Sequence, residues 1–188
     1  MLKNQEQMPD AIRRYAISRE KCIFEEKHLR LFNGIITIGA GLSDVLSCKR
    51  LYAPPYASSD FELEIRIDGE LVPLSDYTWY PSELHRNGSM GNISVSSILI
   101  PLAGKKAFLL RVNVKNRGGA GRPAKISLKA GGSLEWLGSA SWGFYAPQTK
   151  LETDSGFDPS GNILLLSNPA GRMALATTLG KMEFSGIL

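Results

Sequence analysis

The run Phe61-Glu62-Leu63-Glu64-Ile65-Arg66-Ile67 alternates strictly between apolar and charged side chains. Only an extended strand gives a period of two, because successive side chains leave it on opposite faces. The pattern predicts a half-buried strand with one wet face. Similar runs recur at Ile93 to Ile100, Ala107 to Asn116, Ala124 to Ala130, Asn162 to Ser167 and Arg172 to Ala176, with short pieces at Glu70-Leu71-Val72 and Thr78-Trp79-Tyr80. The chain's 19 glycines and 10 prolines supply many of the breaks between them. Strands spaced by turns at about 8–15 residues predict an all-β, antiparallel two-sheet β-sandwich, not βαβ units. All 188 residues are read as one domain, with no internal repeat and no long linker.

Two hairpin turns are expected. Asn33-Gly34 joins strands at about 20–32 and 35–39 as a type I′ turn, and Asp68-Gly69 ends the Phe61 to Ile67 strand. Residues 1–10 are polar and are expected to fray. The next segment is ambiguous: Asp10 can cap one short N-terminal helix carrying Ile12, Tyr15 and Ala16, yet Tyr15, Ile17, Cys22 and Phe24 alternate as in strands. The stretch after Gly41, through Tyr52-Ala53-Pro54-Pro55-Tyr56, reads as a rigid extended loop, and Leu84 to Gly91 as a polar turn region. The apolar ending Lys181 to Leu188 suggests an N-terminal piece of a longer chain.

Composition excludes broad classes. With 43% hydrophobic and 21% charged residues the chain is not intrinsically disordered, and no apolar run is long enough for a membrane-spanning helix. The formal net charge is +4, and the densest basic stretches are Arg13-Arg14, Lys105-Lys106 and Arg111 to Arg122, the last with Lys115 and Arg117 between and a Gly-rich segment at its end. Its one RGG-like copy is read as a solvated turn, so no nucleic-acid partner is expected. Cys22 and Cys48 do not combine with His28 and His85 into metal-ligand spacing, so neither a metal nor a cofactor is expected. No secretory pattern precedes Gln7, and two reduced thiols suit a cytoplasmic address.

No catalytic constellation is apparent. Gly39-Ala40-Gly41 lacks the third glycine and the helix of a dinucleotide loop, and Gly131-Gly132-Ser133 lacks the lysine of a phosphate loop. Asp60, Glu62 and Glu64 share a strand face and read as a solvated stripe, while Asp154 and Asp158 read as loop residues. His28 reads as a strand-surface residue and His85 as a loop histidine. The aromatic clusters carry more information. Tyr52, Tyr56, Trp79, Tyr80, Trp136, Trp142, Phe144 and Tyr145 can pack in the core, anchor an interdomain contact or stack on the apolar faces of sugar rings.

The stretch Arg30 to Ser43, then Arg50-Leu51-Tyr52-Ala53-Pro54-Pro55-Tyr56, resembles the opening of bacterial (α/α)6-type glycoside hydrolases. Phe108 to Asn116 looks like a later strand of the same domain. The resemblance implies a supersandwich-like N-terminal β-sandwich that packs against a C-terminal helical catalytic domain of the same parent chain and borders its oligosaccharide site. In that family the catalytic acid and base sit on the helical domain, so no catalytic residues carry over. An independent carbohydrate-binding module is the first alternative. A β-sandwich enzyme of epimerase or lyase type, using His85 with a carboxylate, is the second.

Overall fold

The computed structural model describes residues 15–18, 28–118, 123–136, 149–150, 152–169 and 171–178; of His28, Trp136, Thr149 and Lys150 only the backbone is described. All regular elements among them are strands, and the chain is an all-β, antiparallel protein. No helix among the described residues is long and apolar enough to cross a membrane. The chain divides into two compact units, residues 1–49 with 62–130, and residues 50–61 with 131–188.

The first unit is a two-sheet sandwich. One sheet has the order β1 (Ile17–Ser18), β6 (Leu74–Tyr80), β7 (Glu83–Met90), β8 (Ile93–Pro101), β9 (Phe108–Asn116). The facing strands are β2 (His28–Phe32), β3 (Thr37–Gly41), the start of β4 (Cys48–Ala53), the second half of β5 (Tyr56–Ile67) and β10 (Ile126–Gly131), which pairs β5. The core joins Ile65 and Ile67 of β5 to Val95 of β8, with Val45, Leu46 and Val72 from the connections between strands. Leu110, Val112 and Val114 of β9 and Leu128 of β10 pack against it. The alternation at 61–67 places Ile65 and Ile67, because every second side chain must face inward, and the same geometry turns Val95 inward on β8.

In the second unit β11 (Glu135–Trp136) pairs the first half of β5 and β12 (Thr149–Lys150). A three-stranded sheet follows: β13 (Asp154–Asp158), β14 (Ile163–Asn168), β15 (Gly171–Ala176). Leu164 and Leu166 are buried on one face of β14. Asn168 donates to the Leu134 carbonyl at 2.9 Å and to Thr153 Oγ1 at 3.2 Å.

Several sequence expectations are corrected. Leu84 to Gly91 is not a turn region but most of β7, so His85 lies on a strand. The inward-facing set of β7 is Leu84, Arg86, Gly88 and Met90. An arginine and a glycine in that set hide the alternation from any hydrophobicity pattern. Residues 48–53 form β4 rather than loop, and Pro54-Pro55 make a tight turn into β5, which starts at Tyr56. Asp154–Asp158 is strand β13, and Asp158 then closes the following turn by accepting from Ser160 N at 2.9 Å and Ser160 Oγ at 2.6 Å. Asn33-Gly34 is not a type I′ turn, since only Gly34 has positive φ. Instead the Asn33 carboxamide oxygen accepts from Ile35 N at 2.9 Å and Ile36 N at 2.8 Å, an Asx turn. Asp68-Gly69 does form the expected tight turn, with φ of 53° and 86° and both Ile67–Glu70 backbone bonds made. The strand expected at 70–72 reduces to that one bridge. Of the ambiguous N-terminal segment, Ile17–Ser18 is strand; residues 1–14, where the expected helix begins, lie outside the described residues.

Gly88 is where two backbones nearly touch. A Cβ there would lie 2.1 Å from the Pro73 carbonyl oxygen and 2.5 Å from Val45 Cγ2. Gly88→Ala is expected to cost about 3 kcal/mol, since neither neighbour can retreat without opening the core. Gly131→Ala, with open space around it, is expected to stay within about 0.5 kcal/mol. Urea midpoints compare the two, and equal midpoints would refute the close approach.

Candidate functional site

Residues directly opposite one another on antiparallel strands share a face. On the first sheet the register therefore builds the solvent face row by row. One row is Asp76–Asn87–Ser96–Asn113, and the next is Ser89–Ser94–Lys115. On the other side lie Thr78–His85–Ile98–Arg111, then Tyr80–Glu83–Ile100–Leu109. Strand spacing sets neighbours within a row about 5 Å apart, and rows lie about 7 Å apart. The face is graded: amides and hydroxyls at one end, half-buried isoleucines and Tyr80 with exposed Leu109 at the other.

The polar end forms an open depression of about 310 Å³ lined by Asn87, Ser94, Ser96, Asn113, Lys115 and Arg117, with Gly88 and Val95 below. Arg117 lies just beyond β9, yet its backbone is held. Arg117 N donates to the Asn92 carbonyl at 2.8 Å, and Gly118 N donates to Asn116 Oδ1 at 2.8 Å. Among the described residues the charged groups at this end are Lys115 and Arg117, with Arg111 in the adjacent row and Asp76 beside Asn87 at the far end of the amide row.

His85 sits in the middle of the face. Its Nε2 lies 2.6 Å from Glu83 Oε1, and the Tyr80 ring meets it edge-on at 5.3 Å. The pair is open to water, at 37% and 20% side-chain exposure.

The opposite side of the same strands is dry and unexpectedly polar. Arg86 is fully buried. It donates through Nη1 to the Ser47 carbonyl at 2.7 Å and the Gly41 carbonyl at 3.3 Å, and through Nε to Ser97 Oγ at 3.2 Å. Ser97 Oγ in turn donates to the Val45 carbonyl at 2.5 Å. Asp44 Oδ1 accepts from Leu46 N and Ser47 N at 2.9 and 2.7 Å, and Oδ2 from Ser47 Oγ at 2.7 Å. These bonds fold residues 42–47 into the sandwich and support the floor beneath Asn87 and Ser96. Burial pulls the Arg86 pKa below its ordinary value, opposed by Cys48 and Asp44. Burial pushes the Cys48 thiol up to about 11, with Arg86 pulling it back. Cys48 is free and buried.

The aromatic candidates are dispersed. Trp79 is half-buried and donates its indole N–H to the Arg30 carbonyl at 3.1 Å, and Tyr80 faces solvent beside His85. Tyr52 is half-buried on β4, and Tyr56, on β5, sits against Gly171. Trp136 lies on β11; Trp142, Phe144 and Tyr145 fall outside the described residues. Each acid of the stripe has a local partner. Asp60 accepts from Ser133 N at 2.8 Å and Ser133 Oγ at 2.7 Å, Glu62 pairs with Lys49 at 3.0 Å, and Glu64 with Arg66 at 2.6 Å. Glu135, in the second unit, is fully buried; Oε1 accepts from Ser59 Oγ at 2.7 Å, while Oε2 has no partner among the described residues. No cluster of three metal-ligating side chains occurs among the described residues. Gly39-Ala40-Gly41 is buried strand β3, not a phosphate loop.

Comparison with protein-family models, with curated proteins and with solved structures finds no match.

Sequence reasoning singled out Lys115 and Arg117 as part of a basic stretch but missed Asn87, Ser94, Ser96 and Asn113. Their signal is positional. Polar side chains at every second residue of three strands become an array only once the strands are aligned.

Two outcomes test the buried layer. Arg86→Met strands the Ser47 and Gly41 carbonyls, and is expected to cost about 3 kcal/mol in urea unfolding; an unchanged midpoint would remove Arg86 from its structural role. In a Cys22→Ser background the Cys48 thiol is expected to resist a thiol reagent at pH 8 until the protein unfolds. The folded state binds this proton more tightly than the unfolded chain, whose thiol titrates near 9. The resulting stability is complete below pH 9 and lost as pH rises to about 11. Cys48→Ser should flatten that fall in an unfolding series across pH 8–11.

Proposed function

We propose that this chain is a non-catalytic β-sandwich module of a carbohydrate-active protein, and that it binds glycan on the solvent face of its first sheet. The carrying observation is the in-register array Asn87–Ser96–Asn113 beside Ser94 and Lys115. Side-chain amides and hydroxyls each both donate and accept hydrogen bonds, as sugar hydroxyls do. Fixed on paired strands, they are already aligned before a ligand arrives, so little ordering entropy opposes binding. The titratable groups within the fold favour a structural role for the interior. Asp44 and Arg86 are occupied by hydrogen bonds that hold the loop at 42–47.

The resemblance of residues 30–56 and 108–116 to glycoside hydrolase N-terminal domains extends the proposal. A helical catalytic domain of the parent chain is the partner, and the glycan on this face is the catalytic domain's substrate or product. The aromatic residues Tyr52, Tyr56 and Trp136 belong to the second unit and are proposed as contacts to that partner. A competing reading, a sandwich enzyme, rests on the 2.6 Å His85–Glu83 pair. Turnover of any glycan by the chain, lost in His85→Ala, would replace the present proposal.

Isothermal titration against a panel of oligosaccharides, neutral and acidic, is the direct test. Asn87→Ala and Asn113→Ala are each expected to weaken binding about tenfold, the worth of one good polar contact, with thermal midpoints unchanged. No heat across the panel, or full affinity in both variants, would defeat the proposal.

A further inference from the structure

The charge on the groove walls specifies more than a polyol. We infer that the glycan face is selective for acidic saccharides, with Lys115 and Arg117 holding a carboxylate or sulfate group while Asn87, Ser94, Ser96 and Asn113 hold the neutral hydroxyls. This rests on the glycan-binding proposal above and names its ligand class.

Both charged side chains lining the depression are cations, and no acid among the described residues lines it. Lys115 is exposed and shares a row with Ser94, one step along β9 from Asn113. Arg117 continues the same strand and makes no side-chain bond within the described residues. Its backbone is tied on both sides, by Arg117 N to the Asn92 carbonyl and Gly118 N to Asn116 Oδ1, so its guanidinium leaves from a fixed point. Lys115 and Arg117 are two residues apart, which on extended backbone sets their stems about 7 Å apart. That spacing lets both reach one anionic group or neighbouring groups on one chain. Asp76 ends the amide row itself, one strand spacing from Asn87 but three from Asn113, so it stands about 14 Å from the strand that carries the cations. That exceeds the screening length at about 0.1 M salt, so it does not cancel the cations.

The array also separates a sugar acid from a plain polyanion. A polyphosphate chain uses only the charges, whereas an acidic saccharide engages the amide row as well. A guanidinium grips planar carboxylate or sulfate oxygens through paired N–H groups, which favours Arg117 over a second lysine at this place.

The test titrates the full chain with four probes of matched length: a galacturonate oligosaccharide, a sulfated galactan oligosaccharide, the neutral galactan oligosaccharide, and single-stranded DNA. Both acidic sugars, or one of them, are expected to bind about tenfold or more tighter than the neutral sugar. Lys115→Gln with Arg117→Gln should erase that preference with the thermal midpoint unchanged. Lys105→Gln with Lys129→Gln removes the same charge elsewhere on the surface and should change nothing. Whichever acidic sugar binds tighter identifies carboxylate or sulfate as the group held. Equal binding of neutral and acidic sugars, unaffected by the groove variant, would overturn the acidic preference while leaving glycan binding standing. DNA binding as tight as the acidic sugars would overturn it by showing a face that reads charge alone. Silence toward all three sugars would overturn the glycan reading itself, and the preference with it.

Discussion

A guanidinium buried between two β-sheets holds the first unit together. Residues 42–47 cannot run across the sandwich interior unless their carbonyls find donors, because an unmet buried carbonyl costs more than a hydrogen bond returns. Arg86 answers the Gly41 and Ser47 carbonyls and Ser97 answers Val45. Asp44 organises the same loop from within by accepting from three groups around it. Gly88, next but one to Arg86 on β7, leaves room for the Pro73 backbone to close over that loop. Val45 N bonds to the Val72 carbonyl there, and Asp44 bridges to Pro73. Remove the arginine and the dry layer loses its internal scaffold, not merely a charge.

This polar interior has a consequence for the outer face. The strands that turn Arg86 and Ser97 inward are the strands that turn Asn87 and Ser96 outward. Arg86 precedes Asn87 and Ser96 precedes Ser97, so the register that satisfies the buried loop also aligns the exposed amides. The interior and the proposed binding surface are two sides of one constraint. A slip of one residue between β7 and β8 would bury Asn87 and expose Arg86, and both would fail together.

Both units use polar side chains to hold main chain. In the second, Asp60 accepts from Ser133 N and Asn168 donates to the Leu134 carbonyl. In the first, Arg86, Ser97 and Asp44 serve the carbonyls and amides of residues 41–47. Apolar alternation is therefore clearest where the first unit is driven by packing alone, as at Ile65, Ile67 and Val95. It fades wherever a side chain serves the backbone.

Sequence alone determined that this chain builds antiparallel sheets. Phe61 to Ile67 admits no other period, and Asp68-Gly69 turns where its residues allow positive φ at both positions. It could not show β7, because Arg86 and Gly88 stand where a hydrophobicity pattern demands apolar residues. Nor could it distinguish the Asn33 loop from a type I′ turn, since the same dipeptide serves both and the outcome lay in where the Asn33 side chain bonded. The amide array was invisible for a different reason: Asn87, Ser96 and Asn113 are separated by up to 26 positions in the chain, and only strand register makes them neighbours. Local pattern decides which residues are extended; which of them share a surface depends on partners distant in sequence, and that is settled only when the sheets close.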